Sequence, residues 1–288
     1  MRNTYHQPID PEQFGTHFYQ GDYEMIYDQA ITPFRELVSL EQFVELAASF
    51  NQGVASYQLA YRISIESLIH YVWLDDQKVK AIDVFFDEQW IIHSLSVKPY
   101  VTYPSSDKLY TQNSYCMPVK GEWFVVWGGT NEFINYHYAY ENQRYAYDLV
   151  QVQNGVSYKD TPLRNENFYA FNQPIFAPAD GKVVKVLDGL KDNVPGEMDS
   201  SNPAGNYVII EHKHQEYSLL AHLKQSSIVV NEGDMVKEGQ CIGRCGNSGN
   251  SSETHLHFHI MDCADFTKAK SIRIRFKDGK EPIQGDVV

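Results

Sequence analysis

Three histidines alternate along residues 254–259, which read THLHFH. Alternate residues of a β-strand point to one face, so His255, His257 and His259 would project together from such a strand. Three imidazoles are costly to bury without partners, and neutral imidazole is the commonest nitrogen ligand of divalent metals. The spacing therefore indicates a metal site, although an exposed strand could carry the same histidines at little cost.

A glycine-rich segment, residues 233–252, lies directly before these histidines. Glycine permits the positive φ of tight turns between short strands. Together with the histidines, this segment resembles the pattern GxxVxxGxxIGxxGxTGxSxGxHLHF of the M23 (lysostaphin/LytM-like) peptidases. Ser248 stands where the family often has Thr, and Glu253 where it often has Gly. The matching positions are Gly233, Val236, Gly239, Ile242, Gly243, Gly246, Gly249, Ser251, His255, Leu256, His257 and Phe258.

Three upstream segments resemble further M23 motifs, in the order in which the family has them. Residues 176–184 look like the APxDGxV hairpin, residues 205–212 like the GNxVxIxH strand, and residues 217–223 like the YxHL strand with a longer gap between Tyr217 and His222. The resemblance covers roughly residues 120–262. It implies an all-β antiparallel peptidase domain that depends on Zn²⁺.

The usual family ligand motif, His-x-x-x-Asp, departs from its pattern in this chain. Asp148 suits the carboxylate position, but Arg144 stands four residues earlier and cannot bind a cation. The nearest histidine is His137, eleven residues before Asp148. Our ligand set for the zinc is His137, Asp148 and His257. His259 is an alternative third nitrogen, and a site that has lost one ligand is another.

The resemblance also implies a mechanism. His222 and His255 would flank the metal without binding it, orient or deprotonate the attacking water, and stabilise the oxyanion. The expected function is a zinc-dependent endopeptidase that acts on peptidoglycan stem peptides or cross-bridges. The alternative is a catalytically degenerate M23-like domain that serves as a binding or regulatory module. If Arg144 lies near the site, it could engage a substrate carboxylate or pair with an acid.

The first hundred residues predict helices followed by strands. Ser39 and Gln42 form a capping-box pattern before a helix at 40–50. Four strand-like runs follow at about 55–65, 68–74, 78–86 and 90–97. This order resembles NTF2/cystatin-like accessory domains, including the DUF3887 type. The predicted fold class is therefore α+β overall, with a small α+β domain followed by an all-β antiparallel one.

These patterns predict a domain organisation of 1–98 for the accessory domain, 99–119 for a linker and first strand region, and 120–288 for the peptidase-like domain. The linker prediction rests on Pro99, Pro104 and neighbouring serines.

Composition limits the partners of the protein. The chain has 288 residues and a formal net charge of −13, which argues against non-specific binding to nucleic acid or anionic membranes. No run of residues predicts a membrane span or a signal peptide in this numbering. The expected location is the cell wall or the extracellular space if the protein is exported, and the cytoplasm otherwise.

A pair of cysteines and a pair of histidines could also suggest metal binding, but their surroundings favour a structural interpretation. Cys241 and Cys245 flank a short strand, where cysteine packs as a small apolar residue. His212 and His214 have charged neighbours, which predict an exposed hairpin turn.

Overall fold

A computed structural model describes residues 8–65 and 67–288 of the chain. The chain divides into two compact units, Met1–Val101 and Thr102–Val288. The first unit is α+β and the second is built from antiparallel strands, so the predicted fold class is confirmed. No helix among the described residues is both long enough and apolar enough to cross a membrane.

The first unit consists of helices followed by a four-stranded antiparallel meander in the order β1-β2-β3-β4. Its predicted strands differ from the observed ones by a residue or two at their ends. Helix α3 was not predicted, because it is short and buries no side chain that would leave an apolar period. The assignment to the NTF2/cystatin-like class stays a prediction. The elements are α1 (Phe14–Gln20), α2 (Tyr23–Asp28), α3 (Thr32–Leu37), α4 (Leu40–Phe50), β1 (Tyr57–Ile65), β2 (Leu68–Asp75), β3 (Lys80–Phe86) and β4 (Ile92–Pro99).

Helix α4 begins with the predicted capping box. The Gln42 backbone N–H donates to Ser39 Oγ at 3.2 Å, and the Ser39 backbone N–H donates to Gln42 Oε1 at 3.0 Å. These two bonds satisfy amide groups that no helical carbonyl can reach. Helices and sheet then share one aromatic core, in which Phe14 packs against Trp73 with ring centroids 5.1 Å apart.

The second unit centres on an eight-stranded sheet in the order β11-β8-β9-β10-β13-β6-β5, with β14 paired to β13. Strands β7 and β12 form a separate pair. The elements are α5 (Pro104–Asp107), β5 (Phe124–Trp127), β6 (Tyr147–Val150), β7 (Pro174–Phe176), β8 (Gly181–Leu187), β9 (Asn206–Glu211), β10 (Tyr217–Leu223), β11 (Met235–Val236), β12 (Cys241–Arg244), β13 (Leu256–Met261) and β14 (Ser271–Ile272).

Strand β13 lies between β10 and β6, and every one of its residues is buried. In this register His257 is opposite Asp148 on one side and opposite Ala221 on the other. Directly opposed residues of an antiparallel pair have Cβ atoms about 4.5–5.5 Å apart. The sheet therefore brings together two groups that are more than a hundred positions apart in the chain.

Residues 110–115, within the predicted linker and first strand region, contact the sheet domain closely. Tyr110 and Tyr115 form isolated bridges with Arg273 and Phe276. The buried carboxylate of Glu216 accepts hydrogen bonds from the Asn113 amide at 2.7 Å and from the Tyr115 hydroxyl at 2.9 Å. These bonds compensate the desolvated carboxylate and hold the segment against the β10 hairpin.

Candidate metal centre and surrounding histidines

Three side chains from different parts of the second unit converge at the middle of the sheet. His137 Nε2 lies 3.0 Å from Asp148 Oδ2, and His257 Nδ1 lies 2.9 Å from Asp148 Oδ1. One donor atom from each residue lies within 4.8 Å of the others, and all three residues are buried. The three residues that the sequence analysis grouped as metal ligands therefore lie at one site.

His137 reaches this site because a buried asparagine shapes its loop. His137 sits in a 3₁₀ turn, Tyr136–Ala139, whose preceding residue Asn135 accepts the His137 backbone N–H at 3.2 Å. The Asn135 side-chain amide also donates to the carbonyls of Gly129 and Ala146. One side chain therefore ties the turn to the strand that carries Asp148. Sequence reasoning missed Asn135, and its only signal was an asparagine directly before a turn.

The donor set fits a tetrahedral zinc ion. Bonds of about 2.0–2.1 Å to nitrogen or oxygen place two tetrahedral ligands about 3.3 Å apart, close to the two contacts described above. Burial raises the pKa of Asp148, but the neighbouring His137 and His255 outweigh it and hold that pKa well below its usual value. Burial lowers the pKa of His257. A buried carboxylate beside a neutral imidazole presents the lone pairs and the negative charge that a divalent cation requires.

Arg144 occupies the position of the usual family histidine, and its side chain donates to groups other than Asp148. Its Nε donates to the Tyr138 carbonyl at 3.0 Å, and its Nη1 donates to Ser106 Oγ at 3.1 Å. Its guanidinium lies 3.5 Å from the centroid of the Tyr103 ring. This buried, stacked position contradicts the hypothesis that Arg144 engages a substrate carboxylate or pairs with an acid, and it indicates a structural role.

His222 and His255 stand beside the three converging residues, with ring centroids 4.6 Å apart. His222 Nδ1 lies 2.8 Å from the Ser248 carbonyl oxygen, and His255 Nδ1 lies 2.9 Å from the Glu253 carbonyl oxygen. A carbonyl can only accept, so each Nδ1 carries the proton in a neutral ring and each Nε2 keeps its lone pair. His255 Nε2 lies 3.8 Å from Asp148 Oδ1.

The backbone at His222 is in the left-handed region, with a φ of 61°. This conformation is uncommon outside glycine and costs about 1–3 kcal/mol, so the surroundings must hold it in place. The pairing of β10 with β9 is irregular between Leu220 and Leu223, around this residue. Burial, with His255 and His257 nearby, lowers the pKa of His222 well below its ordinary value. His222 therefore combines a strained backbone conformation with an imidazole that burial keeps neutral.

His259 does not join this group through Asp148. Its Nδ1 lies 2.9 Å from His257 Nε2, on the side of the His257 ring away from Asp148. The convergent group in the described part of the chain is His137, Asp148 and His257. The geometry therefore favours His137 over His259 as the third candidate ligand.

A groove of about 390 Å³ opens at these residues. His222, His257 and His259 lie along it, together with the aromatic side chains of Tyr136 and Phe266. Its lining, as far as the described residues show, contains no Lys, Arg, Asp or Glu. A groove of this kind suits an extended, uncharged peptide segment more than a polyanion.

The cysteine and histidine pairs outside this site agree with the sequence predictions only in part. Cys241 and Cys245 are free thiols, and Cys245 is buried in the core. The predicted hairpin turn is present between β9 and β10, but the exposure predicted for His212 is wrong, because His212 is buried. Its Nδ1 lies 2.9 Å from the Asp180 carbonyl oxygen and its Nε2 lies 2.9 Å from Ser218 Oγ. His214 is exposed and adopts a φ of 63°.

The fold and the site define an antiparallel β domain with a buried His-Asp-His group that could hold a metal ion. Residues 167–271 match peptidase family M23. Lipoprotein NlpD of Yersinia enterocolitica is 38% identical over 88 residues, which cover 31% of this chain and 76% of that protein. The chain belongs to peptidase family M23. The matched segment contains His222, His255 and His257, whereas His137 and Asp148 lie before it.

Other relatives carry different activities in their names. Peptidoglycan DD-endopeptidase ShyA of Vibrio cholerae is 35% identical over 89 residues, 31% of this chain and 17% of that protein. Murein hydrolase activator NlpD of Escherichia coli is 38% identical over 88 residues, 31% of this chain and 20% of that protein. The chain thus spans about a fifth or less of the length of these two relatives. The lysostaphin catalytic domain of Staphylococcus simulans is 27% identical, with a TM-score of 0.27 over 41% of this chain and 86% of that one.

Proposed function

We propose that the second unit is a zinc-dependent endopeptidase that hydrolyses peptide bonds in peptidoglycan stem peptides or cross-bridges. The observation that carries this proposal is the convergence of His137, Asp148 and His257 next to two further histidines whose Nδ1 atoms face carbonyl oxygens, which leaves the lone pair on each Nε2. The similarity to a peptidoglycan DD-endopeptidase supports the substrate class.

In this proposal His137, Asp148 and His257 hold the metal. Three protein ligands are the usual number in catalytic zinc sites and leave one position open. A zinc ion held there supplies a Lewis acid for the scissile carbonyl and the attacking water. The carboxylate of Asp148 contributes the only formal negative charge of the three ligands. With a zinc ion bound, the site would therefore keep a net positive charge, which would favour a developing oxyanion.

His255 and His222 are the groups that would act on the proton of the attacking water. His255 Nε2 points toward the ligand group and carries a lone pair, so it can accept the proton of the attacking water. His222 is held neutral by burial, and the lone pair of its Nε2 can orient the same water. The proton that His255 Nε2 accepts from the water can then pass from His255 to the leaving amine. The carbonyl oxygens that accept hydrogen bonds from the two Nδ1 atoms keep both rings in fixed orientations.

A second candidate function is a non-catalytic module that activates another wall hydrolase. The similarity to murein hydrolase activators named NlpD favours it. The burial of the site favours the endopeptidase function over the activator function. An imidazole or carboxylate in the core costs free energy unless it is partnered. A module without chemistry would not need four such buried groups next to the half-buried His255.

The test is digestion of purified peptidoglycan by the zinc-loaded protein, with the fragments identified by mass spectrometry. The matched variant is His255→Ala, because His255 lies outside the ligand group, so we expect its loss to leave the zinc content unchanged. We expect new free amino groups from the unaltered protein and a decrease of at least about 100-fold in the variant. Zinc-loaded protein that cleaves no peptidoglycan, yet stimulates a second hydrolase, would establish the activator function instead.

A further inference from the structure

We propose that His259 is a positioning residue of the metal centre, whose Nδ1 accepts the hydrogen bond of His257 Nε2–H and so directs the lone pair of His257 Nδ1 toward the metal. This inference rests on the proposed metal centre and deepens it. Both histidines belong to β13 and point to the same face of the sheet.

The first step of the argument is the number of protons on His257. A neutral imidazole carries one proton on one of its two nitrogens. His257 Nδ1 faces Asp148 Oδ1 at 2.9 Å, and His257 Nε2 faces His259 Nδ1 at 2.9 Å. Metal binding requires a lone pair at Nδ1, so the proton must then reside on Nε2. The acceptor that the structure places at Nε2 is His259 Nδ1.

The second step concerns the far side of His259. When Nδ1 accepts, the single proton of the neutral His259 ring sits on Nε2. This nitrogen is buried and has no hydrogen-bond partner among residues 8–65 and 67–288. His259 lines the groove, where a water or a substrate carbonyl can accept that proton. The sheet thus holds a row of two imidazoles that runs from Asp148 toward the groove.

The third step is the contrast with His137. If His137 Nε2 binds the metal, its Nδ1 carries the proton, and this atom is also buried without a partner in the described residues. Metal-binding histidines usually donate their second N–H to a fixed acceptor, which sets the tautomer and the ring orientation. Of the two candidate histidine ligands, His257 is the one with such an acceptor, and that acceptor is His259 Nδ1.

The experiment compares the zinc affinity of two variants by competition with a chromophoric chelator at one pH. His259→Phe keeps a ring of similar size but removes the acceptor. His259→Asn is the matched control, because its side-chain oxygen can stand near the position of Nδ1. We expect zinc binding to weaken about 10–100-fold in His259→Phe and by no more than about threefold in His259→Asn. Thermal unfolding of both metal-free variants confirms that they fold.

Equal zinc affinity in folded His259→Phe and the unaltered protein would overturn the inference, as would an equal loss in both variants. If neither variant folds, ring ¹⁵N–¹H spectra of the zinc-loaded unaltered protein decide. A proton on His257 Nε2, hydrogen-bonded to a second ring nitrogen, supports the inference, and a proton on His257 Nδ1 overturns it. Failure of the proposed function is a separate result, in which the unaltered protein binds zinc but cleaves no peptide. Unaltered protein that binds no zinc would overturn both proposals.

Discussion

Replacing His137 by alanine should weaken zinc binding by about 100-fold. The His137 ring is almost fully buried, and its Nε2 lies 3.0 Å from Asp148 Oδ2. Four-ligand zinc sites in small domains have apparent binding free energies of about 10–16 kcal/mol, or about 3 kcal/mol for each ligand. Since about 1.4 kcal/mol corresponds to a factor of ten, losing one ligand costs roughly two orders of magnitude in affinity.

The assay is zinc competition with a chelator, together with elemental analysis of the purified protein. Arg144→Lys is the control, because position 144 is where the family usually has a ligand but Arg144 here donates to Tyr138 and stacks on Tyr103. We expect this variant to lose about 1–2 kcal/mol of folding free energy through its weaker hydrogen bonding and stacking. Its zinc affinity should remain that of the unaltered protein.

The opposite pattern would refute the reasoning. If His137→Ala keeps full zinc affinity while it is folded, His137 is not a ligand. If Arg144→Lys loses zinc without losing stability, the loop that carries Arg144 must approach the metal in solution. Either result would remove the argument that a displaced histidine completes the site.

Three further predictions concern the surroundings of the site and the first unit. Gly205→Ala should cost about 2–4 kcal/mol in chemical denaturation, since Gly205 has a φ of +59° and a Cβ there would lie 2.3 Å from the Ser248 carbonyl oxygen; an unchanged midpoint would contradict this packing. Ser39→Ala should cost about 1 kcal/mol by the same measurement, because it removes the hydrogen bond that caps α4, whereas Gln42→Glu should retain most of the cap. Burial lowers the pKa of His212 below 6.5, so the unfolded state binds more protons below that pH. Its contribution to stability is therefore complete above about pH 6.5 and is lost as the pH falls toward the lowered folded value, by at most about 1.4 kcal/mol per pH unit. The His212→Gln variant should show a correspondingly shallower loss in acid titrations of stability, and an identical slope would exclude His212 as a source.

Much of the fold followed from local patterns. The four strands of the first unit were predicted from strand-like runs of residues, and the capping box marked the start of α4. Both signals are short-range, since they depend on side chains a few positions apart. The alternation of His255, His257 and His259 likewise predicted a common face, although His255 lies one residue before β13 begins.

The tertiary structure decided which groups meet. The chain alone offered His137, His259 or a lost ligand as completions of the site. The choice depends on the hydrogen bonds of Asn135, which fold a loop back onto the strand of Asp148. His212 is likewise buried beside the carbonyl of Asp180, a residue distant in sequence that lies directly before β8. Side-chain periodicity specifies the face of a strand, but the path of a loop depends on partners distant in sequence. For this reason the histidine strand could be read from the residue pattern, whereas Asp148 and His137 were expected through the resemblance to M23. Their approach to His257 depends on the folded chain.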